Sequence, residues 1–297
     1  RHTEQKLTES IYIELKNSSK ERRISVNSVL KILGVSSSGY YDYLKREDSK
    51  QKVRKEQVKQ EITEIYNESR QIYGAPKITS ILQSRGHVIA EKTVGNYMRE
   101  LGIRAIWVSP YRRTTIDPDF DNKLKNILDR KFSPDAPNTV WVTDITYIWT
   151  VSGFVYLTTV MDLFSRKIIG WHLSDTLSTK GVLKAIKKAK SYRKIDAPIV
   201  IHSDRGVQYV SKAYIDATPA GNFIRSYSRK GNPWDNAVIE SFHALIKREW
   251  LNRFVIRNIS HAHELIFEYI EAFYNTTRIH SHCNMASPHD FEKINAG

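Results

Sequence analysis

Three acidic residues stand out by the company they keep. Asp144 lies inside the apolar run "VWVTDITYIWT", with Val142, Ile145 and Ile148 as inner neighbours. Asp204 closes the run that begins "APIVIH", at the C-terminal end of an apolar strand, where open mixed sheets put their ligand sites. Glu240 falls in the first turn of a helix that starts after the capping stretch "GNPWDN". Three carboxylates without a cluster of bases suit hard divalent cations. Mg²⁺, with Mn²⁺ as a substitute, takes oxygen ligands, keeps waters and bridges phosphates. Two such ions can hold the attacking and leaving oxygens of an in-line phosphoryl transfer, so that no side chain need be the nucleophile. Taken singly, a strand Asp also reads as half of a salt bridge, and a strand-end Asp as a turn cap.

The elements around these residues follow from pattern. At 100° per residue, Glu240, His243, Ala244 and Lys247 share one side of the Glu240 helix, predicted to face outward. Val238, Ile239, Phe242, Leu245 and Ile246 take the opposite, core side. "VWVTDITYIWT", "FVYLTTVMDLFS" and "KIIGWHLSD" read as three strands of a meander. Helix "TKGVLKAIKKAKSYRK" and strand "APIVIH" follow, then more helix, the Glu240 helix and the helix in "SHAHELIFEYIEAFYNTTR". A meander followed by alternating helix and strand predicts a mixed α/β sheet with helices on its faces.

Upstream the text is helical. Residues 23–46 read as helix, turn, helix, with a stripe of Val26, Val29, Leu30 and Leu33, a stop at Gly34, and Ser36 or Ser37 as the next cap. The second helix is expected to present Ser38, Tyr40, Tyr41 and Tyr43 to DNA, as in a helix-turn-helix; a plain helical hairpin has the same pattern. A charged helix over 48–70 carries a stripe of Val53, Val58, Ile62 and Ile65. A second hairpin then runs from Pro76 to Arg85 and from Ala90 to Leu101, with stops at Gly86 and Gly102 and with Lys77 and Lys92 as DNA contacts. Residues 108–137, rich in proline, read as a linker with one short helix. The expected domains are 1–49, 50–107, the linker 108–137, and a catalytic unit over 138–297.

Charge supports a polyanionic partner. The 297 residues carry a net +14, divided as +7 in residues 1–110 and +7 in residues 111–297, so the excess is not a tail. Nucleic acid fits this better than membrane, and no apolar run approaches the roughly 18 residues of a span. One cysteine, Cys283, excludes an internal disulfide and fits a reducing compartment; the expected location is the cytoplasm, with the nucleoid. The chain begins with Arg rather than Met and reads as trimmed or as lacking an upstream part.

Other residues have simpler roles open to them. Asp162 could flank a metal site or end a hairpin, and His202 could orient substrate or pack at its strand end. Asp235 and Asn236 are explained by capping. His261, His263, His280, His282 and Cys283 match no structural zinc spacing. Arg229 and Lys230 in "SRKG" read as a DNA-contacting loop, and Trp234 as a base-stacking or packing residue.

"WVTDIT", "HSDRGVQY" and "SRKGNPWDNAVIESFHALIKREW" resemble the three catalytic blocks of insertion-sequence transposases of the DDE superfamily, which share the retroviral-integrase core. Between Asp204 and Glu240 lie 35 residues, matching the superfamily's spacing, and Lys247 matches its usual basic position. "YNTTRIHSHCNMASPHDFE" resembles the tail of the insertion-sequence-three family, and "YGAPKITSILQSRGHVIAEKTVGNYMRELGIRA" the helix-turn-helix before that family's core. The resemblance implies a ribonuclease-H-like catalytic core behind an N-terminal all-α DNA-binding region. It further implies two Mg²⁺ ions held by Asp144, Asp204 and Glu240, and Lys247 on DNA near them. The substrates implied are terminal inverted repeats and target DNA, joined through a branched intermediate and a circle. A homo-oligomer, at least a dimer, is implied. A first-reading-frame partner with a helix-turn-helix and leucine zipper is implied too, because no sustained heptad pattern is found here. An end-binding repressor that does not cut, or a ribonuclease-H-like nuclease without strand transfer, are the alternatives.

Overall fold

The β-meander forms where β-branched and aromatic residues alternate between tight turns. In the computed structural model, which describes residues 8, 10–15, 25–45, 48–106 and 124–295, β1 (Val140–Thr150), β2 (Gly153–Asp162) and β3 (Ile168–Ser174) pair antiparallel. The register sets Asp144 opposite Thr159 and Trp149 opposite Phe154. Two short strands, β4 (Ile199–Ser203) and β5 (Phe223–Tyr227), then add parallel to β1, giving the order β3-β2-β1-β4-β5. This is the mixed sheet of a ribonuclease-H-like core. β5 is absent from the sequence reading above: Arg225 and Ser226 break its apolar pattern. Ser226 is nonetheless fully buried, because its hydroxyl accepts from the backbone N–H groups of Ile127 and Leu128 at 2.8 and 3.0 Å.

Alternation along β1 sends Trp141 to one face of the sheet and Val142 and Asp144 to the other. On the Trp141 side, helix 179–192 buries Val182, Ala185, Ile186 and Ala189 against Trp141, Val160, Ile169, Ile199, Ile201 and Phe223. Each such side chain removed from water contributes roughly 1.5–3 kcal/mol for the large ones. On the Asp144 side lies the helix Ala237–Glu249, followed by Ile259–Tyr269, which runs on through a wider turn at Ile270–Tyr274. Phe242 and Tyr274 meet edge to face there, with ring centres 4.7 Å apart.

The helical elements ahead of the sheet lie where their stripes and stops predicted. Helices Ala75–Ser84 and Glu91–Glu100 pack together through Ile78, Leu82 and Val94, and Gly86 and Gly102 follow them with φ of 93° and 69°. The charged helix spans Lys50–Glu68 and buries Val58, Ile62 and Ile65, while Val53 is exposed. Contacts divide the chain into two units, Arg1–Gln60 and Glu61–Gly297. In the first, Val26–Ile32 and Ser37–Lys45 form a helical hairpin whose core is Leu30, Tyr40, Tyr12 and Leu15. Within the second, the hairpin 75–100 is tied to the sheet-bearing part. The Ile279 N–H donates to the Tyr73 hydroxyl at 3.0 Å, and Arg70 pairs with Glu268 at 2.5 Å. Residues 108–123 of the expected linker lie outside the described residues, and the described part, 124–137, contains no helix. No described helix is long and apolar enough to cross a membrane.

Candidate active site

β1 and β4 are parallel with Val142 level with His202; Asp144 lies two residues further along β1, and Asp204 two residues further on, just past the end of β4. The charges of both carboxylates act on the same buried hydroxyl, that of Tyr209. Both are half-buried. Asp204 is held by its turn: the Gly206 N–H donates to its Oδ1 at 2.9 Å. A Cβ on Gly206 would lie 3.0 Å from that oxygen, so any larger residue there would press on the Asp204 carboxylate. Beneath the pair lies Tyr209, whose hydroxyl meets Thr143 Oγ1 at 3.2 Å. Burial, and after it the charges of Asp144 and Asp204, push that hydroxyl's pKa well above 10. Asp144 and Asp204 therefore concentrate negative potential in a half-enclosed place.

Glu240 comes from the helix Ala237–Glu249. Two residues of this helix and its cap touch β1: Asn236 Nδ2 donates to the carbonyl oxygen of Thr143 at 3.3 Å, and His243 Nδ1 stands 3.3 Å from Asp144 Oδ2. His243 Nε2 also meets Thr159 Oγ1 at 2.8 Å, and Thr159 is the cross-strand partner of Asp144. Glu240 is four residues after Asn236 and three before His243, and residues at those spacings share one helical face. Glu240 thus lies over the strand that carries Asp144. This corrects the predicted faces. The buried side is Ile239, Phe242, His243 and Ile246, with Glu249 at its end, while Ser241, Ala244 and Arg248 are exposed and Val238 and Leu245 are half-buried. Glu240 and Lys247 border the buried face instead of opposing it, because His243 is held in place by hydrogen bonds that offset its polarity.

The carboxylates fit a hard cation by chemistry: oxygen donors, a shared negative field and an open side. Among the described residues no three His, Cys, Asp or Glu side chains are gathered closely enough to hold a metal ion alone. A magnesium site that completes its shell with water and phosphate needs no such cage.

The remaining predicted residues divide. Lys247 is half-buried, its Nζ 4.6 Å from the centre of the Tyr147 ring. Arg229 and Lys230 are exposed on the loop before the Glu240 helix; Arg229 pairs with Asp129 and lies 3.6 Å from Asp235. Ser38, Tyr41 and Lys92 are exposed. Tyr40 is not: at 2% exposure it packs edge to face on Tyr12, because the hairpin has few other large apolar groups to build a core from. Lys77 is also withdrawn from DNA. Its ammonium lies over the Tyr73 ring at 4.6 Å, and burial, with Arg278 nearby, brings its pKa down to about 7.

Asp162 is fully buried and accepts from the Asn138 and Phe164 N–H groups at 2.8 and 3.1 Å, a hairpin-end role; burial raises its pKa to about 6. His202 is held between Ser226 and Ser228, and burial lowers its pKa to about 4, so it is neutral packing. Asp235, fully buried, receives the Arg229 N–H and the Arg130 Nε and braces the loop. Trp234 stays exposed, and His280, His282 and Cys283 pack separately against Arg278, Phe164 and Ser165. His243 is the residue sequence reasoning undervalued. Its position three after Glu240, in a helix otherwise apolar on that side, was the available signal.

An HTH-like domain model matches residues 53–111, and two integrase core domain models match residues 134–233 and 224–288. The transposase for insertion sequence element IS904 of Lactococcus lactis subsp. lactis (strain IL1403) is 37% identical over 252 residues, 84% of this chain and 99% of the relative. Transposase InsF for insertion sequence IS3A of Escherichia coli (strain K12) is 33% identical over 280 residues, 93% and 96% of the two chains. A solved HTLV-2 integrase catalytic core domain in complex with magnesium aligns over 52% of this chain and 97% of that one, at 16% identity and a TM-score of 0.40. With sheet order, helical hairpin and whole-length relatives in agreement, the chain belongs to the IS3 family of insertion-sequence transposases.

Proposed function

We propose that this DDE-type transposase cuts and joins DNA with Asp144, Asp204 and Glu240 as its metal-holding residues. What supports the reading is the parallel pairing of β1 with β4, level at Val142 and His202 two residues before Asp144 and Asp204, together with the contacts of Asn236 and His243, which flank Glu240, to Thr143 and Asp144. Asp144 would be shared by both ions, Asp204 serving one and Glu240 the other. A divalent cation, Mg²⁺ or Mn²⁺, would supply Lewis acidity toward a phosphodiester. His243 keeps Asp144 in one rotamer, and Tyr209, held protonated, keeps the floor of the site neutral.

The substrates are the terminal inverted repeats of the element and target DNA. Hydrolysis frees a 3′-hydroxyl, which then attacks a second phosphodiester; the route is copying out through a circle, then integration. Lys247, Arg229 and Lys230 would contact DNA near the carboxylates, and Ser38, Tyr41 and Lys92 would contact DNA through their own helical hairpins. Two or more copies would bring two ends together, with a helix-turn-helix and leucine-zipper protein as a further partner, in the cytoplasm at the nucleoid.

The test is strand transfer with labelled element ends and Mg²⁺, comparing the natural chain with Glu240→Gln. The expected result is retained end binding and no joined product. Equal product from both would remove Glu240 from the mechanism. End binding with no joined product from the natural chain, even with the partner supplied, would favour a non-cutting repressor.

A further inference from the structure

The tip of the β1–β2 hairpin carries four aromatic residues on one face. Tyr147 and Trp149 alternate along β1, and the register sets Tyr156 opposite Tyr147 and Phe154 opposite Trp149, so all four side chains leave the sheet on the same side. Trp149 and Phe154 meet edge to face at 4.8 Å, and Tyr147 and Phe154 at 5.5 Å. Tyr147, Trp149 and Phe154 remain 45%, 63% and 49% exposed. Lower on this face the helix 179–192 provides cover: its Gly181 sits over Thr158 and His172. Above that point the cover ends, because the helix begins there.

The other face of the tip is fixed. Ile148, Val155 and Thr150 are buried, the Val151 N–H donates to the Ile256 carbonyl at 2.8 Å, and the Ser152 N–H to that of Arg257 at 3.2 Å. The aromatic face is thus held out on a rigid support. It has a cation beside it, Lys247, whose Nζ is 4.6 Å from the Tyr147 ring centre. Tyr147 is three residues from Asp144 on the same strand, about 10 Å along it, and leaves the sheet on the opposite face; Lys247, from the helix on the Asp144 side, nevertheless reaches the Tyr147 ring. Aromatic rings with an adjacent cation, in a chain of net charge +14, match nucleobases beside phosphate better than an aliphatic protein surface.

We propose that Tyr147, Trp149, Phe154 and Tyr156 form a stacking platform for unpaired bases of a single DNA strand that passes Lys247 from the Asp144 face to the opposite face of the sheet. The proposal rests on the reading that the Asp144 site works on DNA. The bases stack on the ring faces and Lys247 meets the backbone.

The experiment is anisotropy of labelled oligothymidine and of a labelled blunt duplex, both in EDTA, with the full chain. Trp149→Ala combined with Phe154→Ala is expected to weaken oligothymidine binding by at least about tenfold and leave duplex binding unchanged. Trp149→Phe, which keeps a ring, should bind nearly as the natural chain does, whereas Trp149→Leu, which keeps only apolar bulk, should not. Circular dichroism checks that each variant is folded, and the Phe and Leu pair decides the matter if the double variant is not. Unchanged oligothymidine affinity, or equal loss for duplex, overturns the proposal. So does an unchanged affinity accompanied by smaller species in sedimentation, which would make the face a contact between copies. Asp144→Asn should bind oligothymidine normally while failing to join strands; if it joins strands, the catalytic reading fails and the platform does not.

Discussion

One helix carries two carboxylates with opposite surroundings. Near the start of Ala237–Glu249, Glu240 is half-buried in the segment whose Asn236 and His243 contact Thr143 and Asp144. At its end Glu249, fully inside, is gripped by Arg278 at 2.6 and 2.7 Å and by the Tyr269 hydroxyl at 2.6 Å. Burial alone would raise the Glu249 pKa, but Arg278 and then Tyr269 hold it below the usual carboxylate range. The second site neutralises its charge within the protein. At the first, burial and after it the charges of Asp144 and Asp204 raise the pKa of the Tyr209 hydroxyl. A carboxylate whose charge is balanced by a buried guanidinium serves the fold.

The contrast predicts different losses. Asp204→Asn removes charge from the shared field and is expected to lower strand transfer by a factor on the order of 10³ or more, with the melting temperature nearly unchanged; a variant that melts earlier but joins strands normally would reverse the assignment. Arg278→Ala should do the opposite kind of damage. It strands a buried carboxylate, at a cost of about 3–5 kcal/mol, read by urea unfolding. Adding Glu249→Gln should return much of that loss, and if it returns none the pair is not the unit described.

A smaller effect sharpens the boundary between the two sites. His243→Ala frees Asp144 from its positioning contact, and joining should fall by about 10–100-fold while the Mg²⁺ concentration needed for half-maximal rate rises. A fall in rate at unchanged Mg²⁺ requirement would make His243 a packing residue only. Lys77 gives the smallest effect. Its pKa of about 7 in the folded chain lies below the 10.5 of a free lysine, so between those values the unfolded chain binds more protons and stability rises with pH. Lys77→Met should therefore melt a few degrees higher at pH 7, with the gap closing toward pH 10; a gap that does not change with pH would contradict the buried placement.

Much of this was readable from residue order. The strands β1 to β4, the hairpin 75–100 and the candidate acids follow from apolar period, glycine stops and spacing, which are local signals. β5 escaped because its buried serine looks polar in the text and is satisfied only by chain nearly a hundred residues upstream. His243 and Tyr40 escaped for related reasons. A residue's side of a helix is set by the partners that fold against it, and the imidazole's partners, Asp144 and Thr159, lie on two other strands. Lys77 likewise turns inward toward Tyr73 and Arg278, the second more than two hundred residues away.

The grip of Arg278 on Glu249 makes the segment after residue 274 a brace for the catalytic helix. A chain ended at residue 274 would keep every acid of the site yet lose that clamp, along with the Tyr73–Ile279 bond that fastens the DNA-reading hairpin. Such a truncation is expected to abolish transposition, and trypsin is expected to cut the loosened helix at Lys247 or Arg248 faster than it cuts the full chain.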